Sequence, residues 1–431
     1  MTTGAPGSVG EIRNAAVFAE LVGPGDGDMF DMLSSPAQTQ GMVERMLTHR
    51  SDFQERSDAN HPIVRITDLQ TKPGDEVSVD MLLAKYIRPL MGDERVEGRY
   101  GTTSFASDKL KINQFVFPWD SGGNMSQKRT RYKLRPLSRA QAMMNARAYL
   151  NQLKQVHLAG ARGDDASDDW IIPLENDPDI NKLLINPLRR PTHNRVMCAN
   201  GKQSIADLTT EDFLKLDDIT RLDAKNRGSR NPVRRIILPN DPAARTEPLG
   251  IALVDYRVWY YIKTYHSGTR NDWRSFMMGA RERGGTNPLF AGSLGGMIDG
   301  WLIKVMPRRI AFNQGTTIKV ASSDAAYAET TVTVPTFDAT AADPADHAVS
   351  CSIFMGAEAL AELWAGDGEG GQPTDWYEGT ENHGRQWVCS LAGKAGIGKI
   401  RFKASNGEDT DRGVWAVYSY APDPDKVPSL S

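Results

Sequence analysis

The residues best suited to chemistry lie near the C-terminus. Gly393-Lys394-Ala395-Gly396-Ile397-Gly398-Lys399 fits the opening of a phosphate-binding loop, G-x-x-x-x-G-K. Such a loop cradles phosphates on backbone N–H groups, takes Ser or Thr after the lysine to hold magnesium, and leads into a helix N-terminus. Here Ile400 follows the lysine, and IRFKAS has the composition of a strand. A glycine-rich turn into a strand is the favoured reading; a nucleotide-binding enzyme is the alternative. Asp164, Asp165, Asp168 and Asp169 could suggest a two-metal carboxylate site. Metal ligation needs carboxylates converging from a rigid element, and these follow Gly160 and Gly163 in what reads as a solvated turn. The seven histidines are scattered. No H-E-x-x-H, C-x-x-C or G-x-S-x-G spacing occurs. The sequence therefore predicts no catalytic residue, no metal and no cofactor.

A sharper pattern is one of charge. In Gln127–Pro136, QKRTRYKLRP, the residues Arg129, Arg131, Lys133 and Arg135 recur at every second position. In an extended segment this places four cations on one edge. Two readings stand open. The edge docks against an acidic neighbour or a phosphate backbone, or it is solvated, with local salt bridges worth roughly 0–1 kcal/mol each.

The element positioned just after this row is the most regular in the chain. Leu137–Gly160, LSRAQAMMNARAYLNQLKQVHLAG, carries Ala142, Ala146, Tyr149, Leu150, Leu153 and Val156 at helical steps. Arg139, Asn145, Asn151, Gln152 and Lys154 fall largely on the other side. Ser138 and Gln141 have capping-box spacing, and Gly160 is placed to stop the helix in the left-handed conformation. Such a helix spans about 30 Å, enough to form a beam across a sheet or subunit.

Before it, Val77, Val79, Met81 and Leu83 alternate with polar residues, which predicts a strand. A second alternating strand holds Leu110, Ile112, Gln114 and Val116. The polar connection between them, MGDERVEGRYGTTSFASD, is far longer than a hairpin loop. Two strands bury little by themselves, so this hairpin is expected to need a partner surface from another chain. Residues 1–70 read as an arm, with short helices at Ile12–Leu21 and Ala37–Leu47. Further on, helices are predicted at Thr210–Lys225, within NDWRSFMMGARERGG and at Ala357–Ala365. Strands are expected at LGIALVDY, Gly300–Met306, Glu329–Val334, Ile400–Lys403 and Val414–Tyr418. The order is mixed, so the class is α+β.

Composition narrows the setting. The 431 residues suffice for two or three domains. A mean hydropathy of -0.46 and a formal charge of -3 predict a soluble chain without a general attraction to nucleic acid or anionic membranes. Cys198, Cys351 and Cys389 are far apart in sequence and odd in number, which argues against a disulfide framework and for a reducing compartment. MTTGAPGSVG is no signal peptide, and Met1 is expected to be the natural start. An arm, a long hairpin and a beam helix, none stable alone, point to a self-assembling structural protein.

The chain resembles tailed-bacteriophage major capsid proteins, in the branch typified by N4-like podovirus coat proteins. The resemblance rests on GDEV (74–77), MGDERVEG (91–98), QFVFP (114–118), MSQKRT (125–130), LAGARG (158–163), PTHNR (191–195), NPLFAGSLGG (287–296), GAEALAELWAG (356–366) and GIGKIRF (396–402). It implies the capsid fold of tailed phages and herpesviruses: an N-terminal arm (1–70), an E-loop hairpin (71–127), a P-domain with a spine helix (128–204), an A-domain (205–385) and a C-terminal return to the P-domain (386–431). It further implies hexamers and pentamers closing an icosahedral virion capsid, assembled in the host bacterial cytoplasm. The implied partners are a portal protein, decoration or scaffolding proteins, and packaged double-stranded DNA held non-specifically on the inner face, with no membrane. Resemblance and charge together predict that Asp93, Glu94, Arg95, Glu97 and Arg99, at the hairpin tip, meet Arg129, Arg131, Lys133 and Arg135 of a neighbouring subunit.

Overall fold

Strands outnumber helices in this computed structural model, which describes residues 61–66, 74–83, 87–101, 104–167, 169–229, 231–236, 248–264, 296–321, 327–341, 343–366, 373–404 and 407–426. β1 (Ile63–Ile66) precedes a hairpin of β2 (Glu76–Leu83) and β3 (Ser104–Lys111). β4 (Asn113–Gly123), the short helix α1 (Asn124–Arg129) and the 26-residue α2 (Leu134–Ala159) follow. Next come α3 (Ile180–Leu184), β5 (Val196–Cys198), α4 (Leu216–Gly228), β6 (Gly250–Val254) and α5 (Tyr256–Thr264). Short strands then succeed one another: β7 (Met297–Ile298), β8 (Trp301–Val305), β9 (Ala311–Asn313), β10 (Thr317–Ala321) and β11 (Glu329–Thr333). The last are β12 (Ala348–Met355), β13 (Leu360–Trp364), β14 (Thr374–Glu381), β15 (Gln386–Lys399), β16 (Arg401–Lys403), β17 (Asp409–Asp411) and β18 (Val414–Tyr420). The expected arm helices and the helix in NDWRSFMMGARERGG lie outside the described residues.

Two sheets carry the architecture, consistent with the α+β class. A seven-stranded sheet runs β5-β18-β12-β6-β8-β7, with β9 also on β12. A five-stranded sheet runs β1-β13-β15-β14, with β4 along the opposite edge of β15. The beam helix α2 lies across β4 and β15. Its predicted stripe, Ala142, Ala146, Tyr149, Leu150, Leu153 and Val156, is buried throughout. Tyr149 packs against Phe115 and Phe117 of β4 at ring-centre distances of 5.8 and 5.7 Å.

The termini of α2 differ in how far the sequence foretold them. Gly160 ends it at φ 71°, its N–H donating to Val156, as expected. The start lies four residues before Ser138, whose hydroxyl merely donates to the Leu134 carbonyl. The first helical N–H, that of Leu134, is instead satisfied by the Gln127 side chain at 2.9 Å. Gln152 and Lys154, expected on the polar face, are buried. The Gln152 amide accepts from Ile171 and Ile172 and donates to Asp169. Lys154 reaches Glu362.

Two further expectations are corrected. Ala357–Ala365 contains a strand, β13, not a helix. Helix propensity in ALAELWA is overridden because β1 and β15 flank this segment and every residue of β13 is buried. The helix foreseen at Thr210–Lys225 begins at Leu216. Phe213, fully buried ahead of it, stacks among Tyr261 and Tyr420.

Candidate subunit-contact surface

The hairpin is anchored at its base by its own chain. Val77, Val79 and Leu110 are buried with Val64, Ile66, Leu363, Ile400 and Phe402. The expectation that a neighbour must order the whole hairpin is corrected to that extent. Polar groups fix the same region. Arg189 donates to Asp108 of β3 at 2.8 Å and to the Lys399 carbonyl at 2.9 Å, and the Arg401 N–H donates to Asp108 at 3.1 Å. At Ile112 the chain leaves the hairpin and joins β15 as β4. Asn186 bridges that junction: its side chain accepts from the Lys111 N–H and donates to the Lys111 and Ile397 carbonyls, at 2.8, 2.9 and 3.0 Å. A buried Asn amide thus supplies the backbone partners the ladder lacks.

Among the described residues the tip has no such support. Ile87, Met91, Val96 and Tyr100 are 64%, 72%, 54% and 71% exposed. Four large apolar groups on one excursion are more than a solvated loop requires. The charges between them answer one another: Arg99 pairs with Glu94 at 2.6 Å, and Arg95 with Glu97 at 2.9 Å. Of the five charged residues predicted at the tip, only Asp93 lacks a charged partner among the described residues.

The predicted basic edge is not extended. Arg129 closes α1, Arg131 and Lys133 lie in the turn that follows, and Arg135 is already in α2. Spacing by two cannot line up cations where the backbone coils. Arg135 also folds back onto its own subunit, pairing with Glu378 of β14 and lying 4.3 Å above the Trp387 ring. The Arg135 guanidinium holds the Glu378 carboxyl below its usual range. Lys128, Arg129, Arg131 and Lys133 remain exposed.

The glycine-rich stretch has a packing role. It is the second half of β15, and β16 follows where a phosphate loop would enter a helix. A Cβ on Gly393 would lie 2.4 Å from the Phe115 ring, one on Gly396 2.1 Å from the Lys111 carbonyl, and one on Gly398 2.4 Å from Leu110. These glycines let the sheet and the hairpin base approach closely. Lys399 is buried 3.6 Å from Asp411, whose other oxygen accepts from Arg401. Burial pushes the Lys399 ammonium down, against the pull of Asp411. No solvent-borne phosphate reaches it. Asp164 accepts from the Asn313 N–H and the Thr316 hydroxyl, and Asp165 from Ser167 and Trp170, so both carboxylates serve the loop. Asp168 lies outside the described residues.

A hairpin held at its base and bare at its tip, a spine laid across a sheet, and glycines used for packing describe a building block. A family profile described as phage capsid protein matches residues 29–423. The chain belongs to the phage capsid protein family. The capsid protein shares its fold with the capsid of Ralstonia phage GP4, at TM-score 0.68 and 24% identity over 86% of this chain and 90% of that one. It is also similar to the cyanophage Pam1 capsid (TM-score 0.54, 12% identity, 84% and 89% covered) and to that of Helicobacter pylori bacteriophage KHP30 (0.51, 13%, 84% and 89%). No curated protein matches it. Its role is structural.

In this capsid protein the tip's apolar residues were visible in the sequence but overshadowed by the charges around them. Their signal was large apolar groups in a polar excursion with no periodicity to bury them. Asn186 and Arg189 had no signal of their own, since their partners lie 75 or more positions away along the chain.

Proposed function

We propose that this chain is the major shell subunit of an icosahedral phage head of the N4-like podovirus type, assembling as hexamers and pentamers around double-stranded DNA. The observation that carries the reading is the hairpin, locked to its own subunit at Asp108, Leu110 and Lys111 while Ile87, Met91, Val96 and Tyr100 each remain more than half exposed. An apolar tip on an anchored stalk is suited to a second copy. The contact of Asp93, Glu94, Arg95, Glu97 and Arg99 with a neighbour is then made around an apolar centre, the paired charges forming its rim.

In this reading residues 1–70 are the arm, 71–127 the E-loop, 128–204 the P-domain, 205–385 the A-domain and 386–431 the return to the P-domain. Assembly takes place in the host cytoplasm, with a portal protein at one vertex and decoration or scaffolding proteins as further partners. Electron microscopy of the purified protein tests this. Closed shells or sheets of hexamers are expected. A protein that stays monomeric at every concentration and ionic strength at which it is folded would overturn it.

A further inference from the structure

The turn between α1 and α2 carries a charge that no carboxylate among the described residues answers. No Asp or Glu occurs between Asp120 and Asp164, a stretch that holds nine Lys and Arg. The five that follow, along the spine and just past it, are engaged: Arg135 with Glu378, Arg139 over Trp376, Lys154 with Glu362, Arg162 over Trp170, and Arg147 in a contact of its own. The four that precede them, Lys128, Arg129, Arg131 and Lys133, are exposed, and among the described residues none pairs with a carboxylate.

This is a built turn. The Gln127 side chain donates to the Tyr132 carbonyl at 2.8 Å and accepts from the Leu134 N–H at 2.9 Å, while the Thr130 N–H donates to Ser126 at 3.0 Å. The four cations and the exposed Tyr132 are therefore presented together on a closed loop. Their position is electrostatically unfavourable for the isolated subunit. Lys133 is the N-cap of α2, whose first turn holds no acidic residue, so the cations sit at the positive end of a 26-residue helix. Four like charges within six residues also repel one another. An external anion would relieve both effects.

The hairpin tip of a second copy is poorly fitted to supply it. Residues 87–101 hold Arg88, Arg95 and Arg99 against Asp93, Glu94 and Glu97, a net charge of zero, and two of the three acids are already paired. We propose that the Lys128–Lys133 turn binds the phosphate backbone of double-stranded DNA. Lysine and arginine on a short turn contact phosphates without reading base edges, so binding is independent of sequence. With four cations, log K falls against log salt with a slope of roughly 3 to 4, about 0.9 for each phosphate neutralised. One turn binds weakly; many copies facing one polymer add up. The choice of DNA as the polyanion rests on the proposed shell function, whereas the cationic site does not.

The test uses full-length protein and fluorescence anisotropy with a labelled duplex of random sequence, across a salt series. The variant carries Lys128→Gln, Arg129→Gln, Arg131→Gln and Lys133→Gln; a control neutralises four exposed cations elsewhere, Lys182, Arg227, Lys403 and Lys426. The variant should lose on the order of tenfold or more in affinity at ~50 mM salt, with its slope falling toward zero. The control should bind like wild type, and the variant's melting temperature should hold or rise, since charges opposed to the helix dipole are gone. Equal losses in variant and control, or unchanged DNA binding in the variant, would overturn the proposal. Unchanged binding joined to failed assembly would assign the turn to an acidic surface of another subunit. Shell formation by wild type is scored separately: its absence counts against the proposed function, not against this site.

Discussion

Arg65 and Glu362 stand directly opposite each other on the parallel strands β1 and β13, and the Arg65 Nε donates to the buried carboxylate at 2.9 Å. Lys154, reaching down from α2, lies 3.3 Å from the other oxygen. All three side chains are 5% exposed or less. One carboxylate thus joins three elements far apart in sequence: the first described strand, the spine and the central sheet. Burial alone would push Glu362 up, but Lys154 and Arg65 outweigh it and hold the carboxyl at about 2.

Glu362→Gln should leave two buried cations without their counter-charge, at a cost of ~3–5 kcal/mol. Denaturant unfolding of the subunit measures it. The pH dependence has a definite sign. A carboxyl whose folded value lies below its ordinary 4.5 stabilises the fold fully above that value and loses the contribution as pH falls toward about 2. The stability gap between wild type and Glu362→Gln should therefore be constant above pH 4.5 and close toward pH 2. A gap that widens in acid would contradict the assignment.

Leu153 is fully buried at the middle of the spine stripe. Leu153→Ala should destabilise by ~2–5 kcal/mol, part from lost transfer energy and part from the cavity left behind. Insoluble protein or failed shell formation is the expected outcome, and normal heads would show that the spine tolerates a void.

Gly396→Ala would set a Cβ 2.1 Å from the Lys111 carbonyl, against backbone that has little freedom to retreat. The hairpin base should shift, and hydrogen exchange at Lys111 and Ile112 should accelerate. Gly228→Ala, at the end of α4 with nothing within 4 Å, is the matched control and should be neutral or stabilising by up to about 1 kcal/mol.

Tip variants separate apolar from ionic docking. Val96→Asp with Tyr100→Asp should abolish assembly and leave the monomer's melting temperature nearly unchanged, because both side chains are more than half exposed. Glu94→Lys with Glu97→Lys breaks two exposed pairs worth roughly 0–1 kcal/mol each and should only slow assembly. If the charge reversal is the more damaging change, the tip docks by its charges.

Asn186→Ala removes three hydrogen bonds at the junction of β3 and β4. A loss of ~1–3 kcal/mol is expected, since the buried Ile397 carbonyl loses this donor and the half-buried Lys111 N–H and C=O lose theirs. Unfolding measurements read the loss, and an unchanged midpoint would mean water takes the place of the amide.

The parts of the fold legible in the sequence are those set by near neighbours. Gly160 was legible as the end of α2 because a left-handed cap is a local demand, and β2 alternates because the side chains of Val77 and Val79 are buried. What could not be read depends on distant partners. Lys154 looks like a solvent-facing residue until Glu362, 208 positions later, is brought beside it. Leu134 begins its helix early because Gln127, outside the helix, supplies the cap. The candidate contact surface was half legible. The tip's exposure followed from its length and polarity, whereas the pairing of Glu94 with Arg99 and Glu97 with Arg95 depended on how that loop folds back.

The run of β4 alongside β15 has a mechanical consequence. A neighbour pulling on the tip draws the Asn113 end of β4 along its own axis, and the register holds from Asn113 opposite Ala395 to Asp120 opposite Val388. The load is shared in shear by many backbone bonds at once; it does not peel them one after another. Asn186, bonded to Lys111 on one side and Ile397 on the other, ties the stalk to the sheet at the point where that load enters.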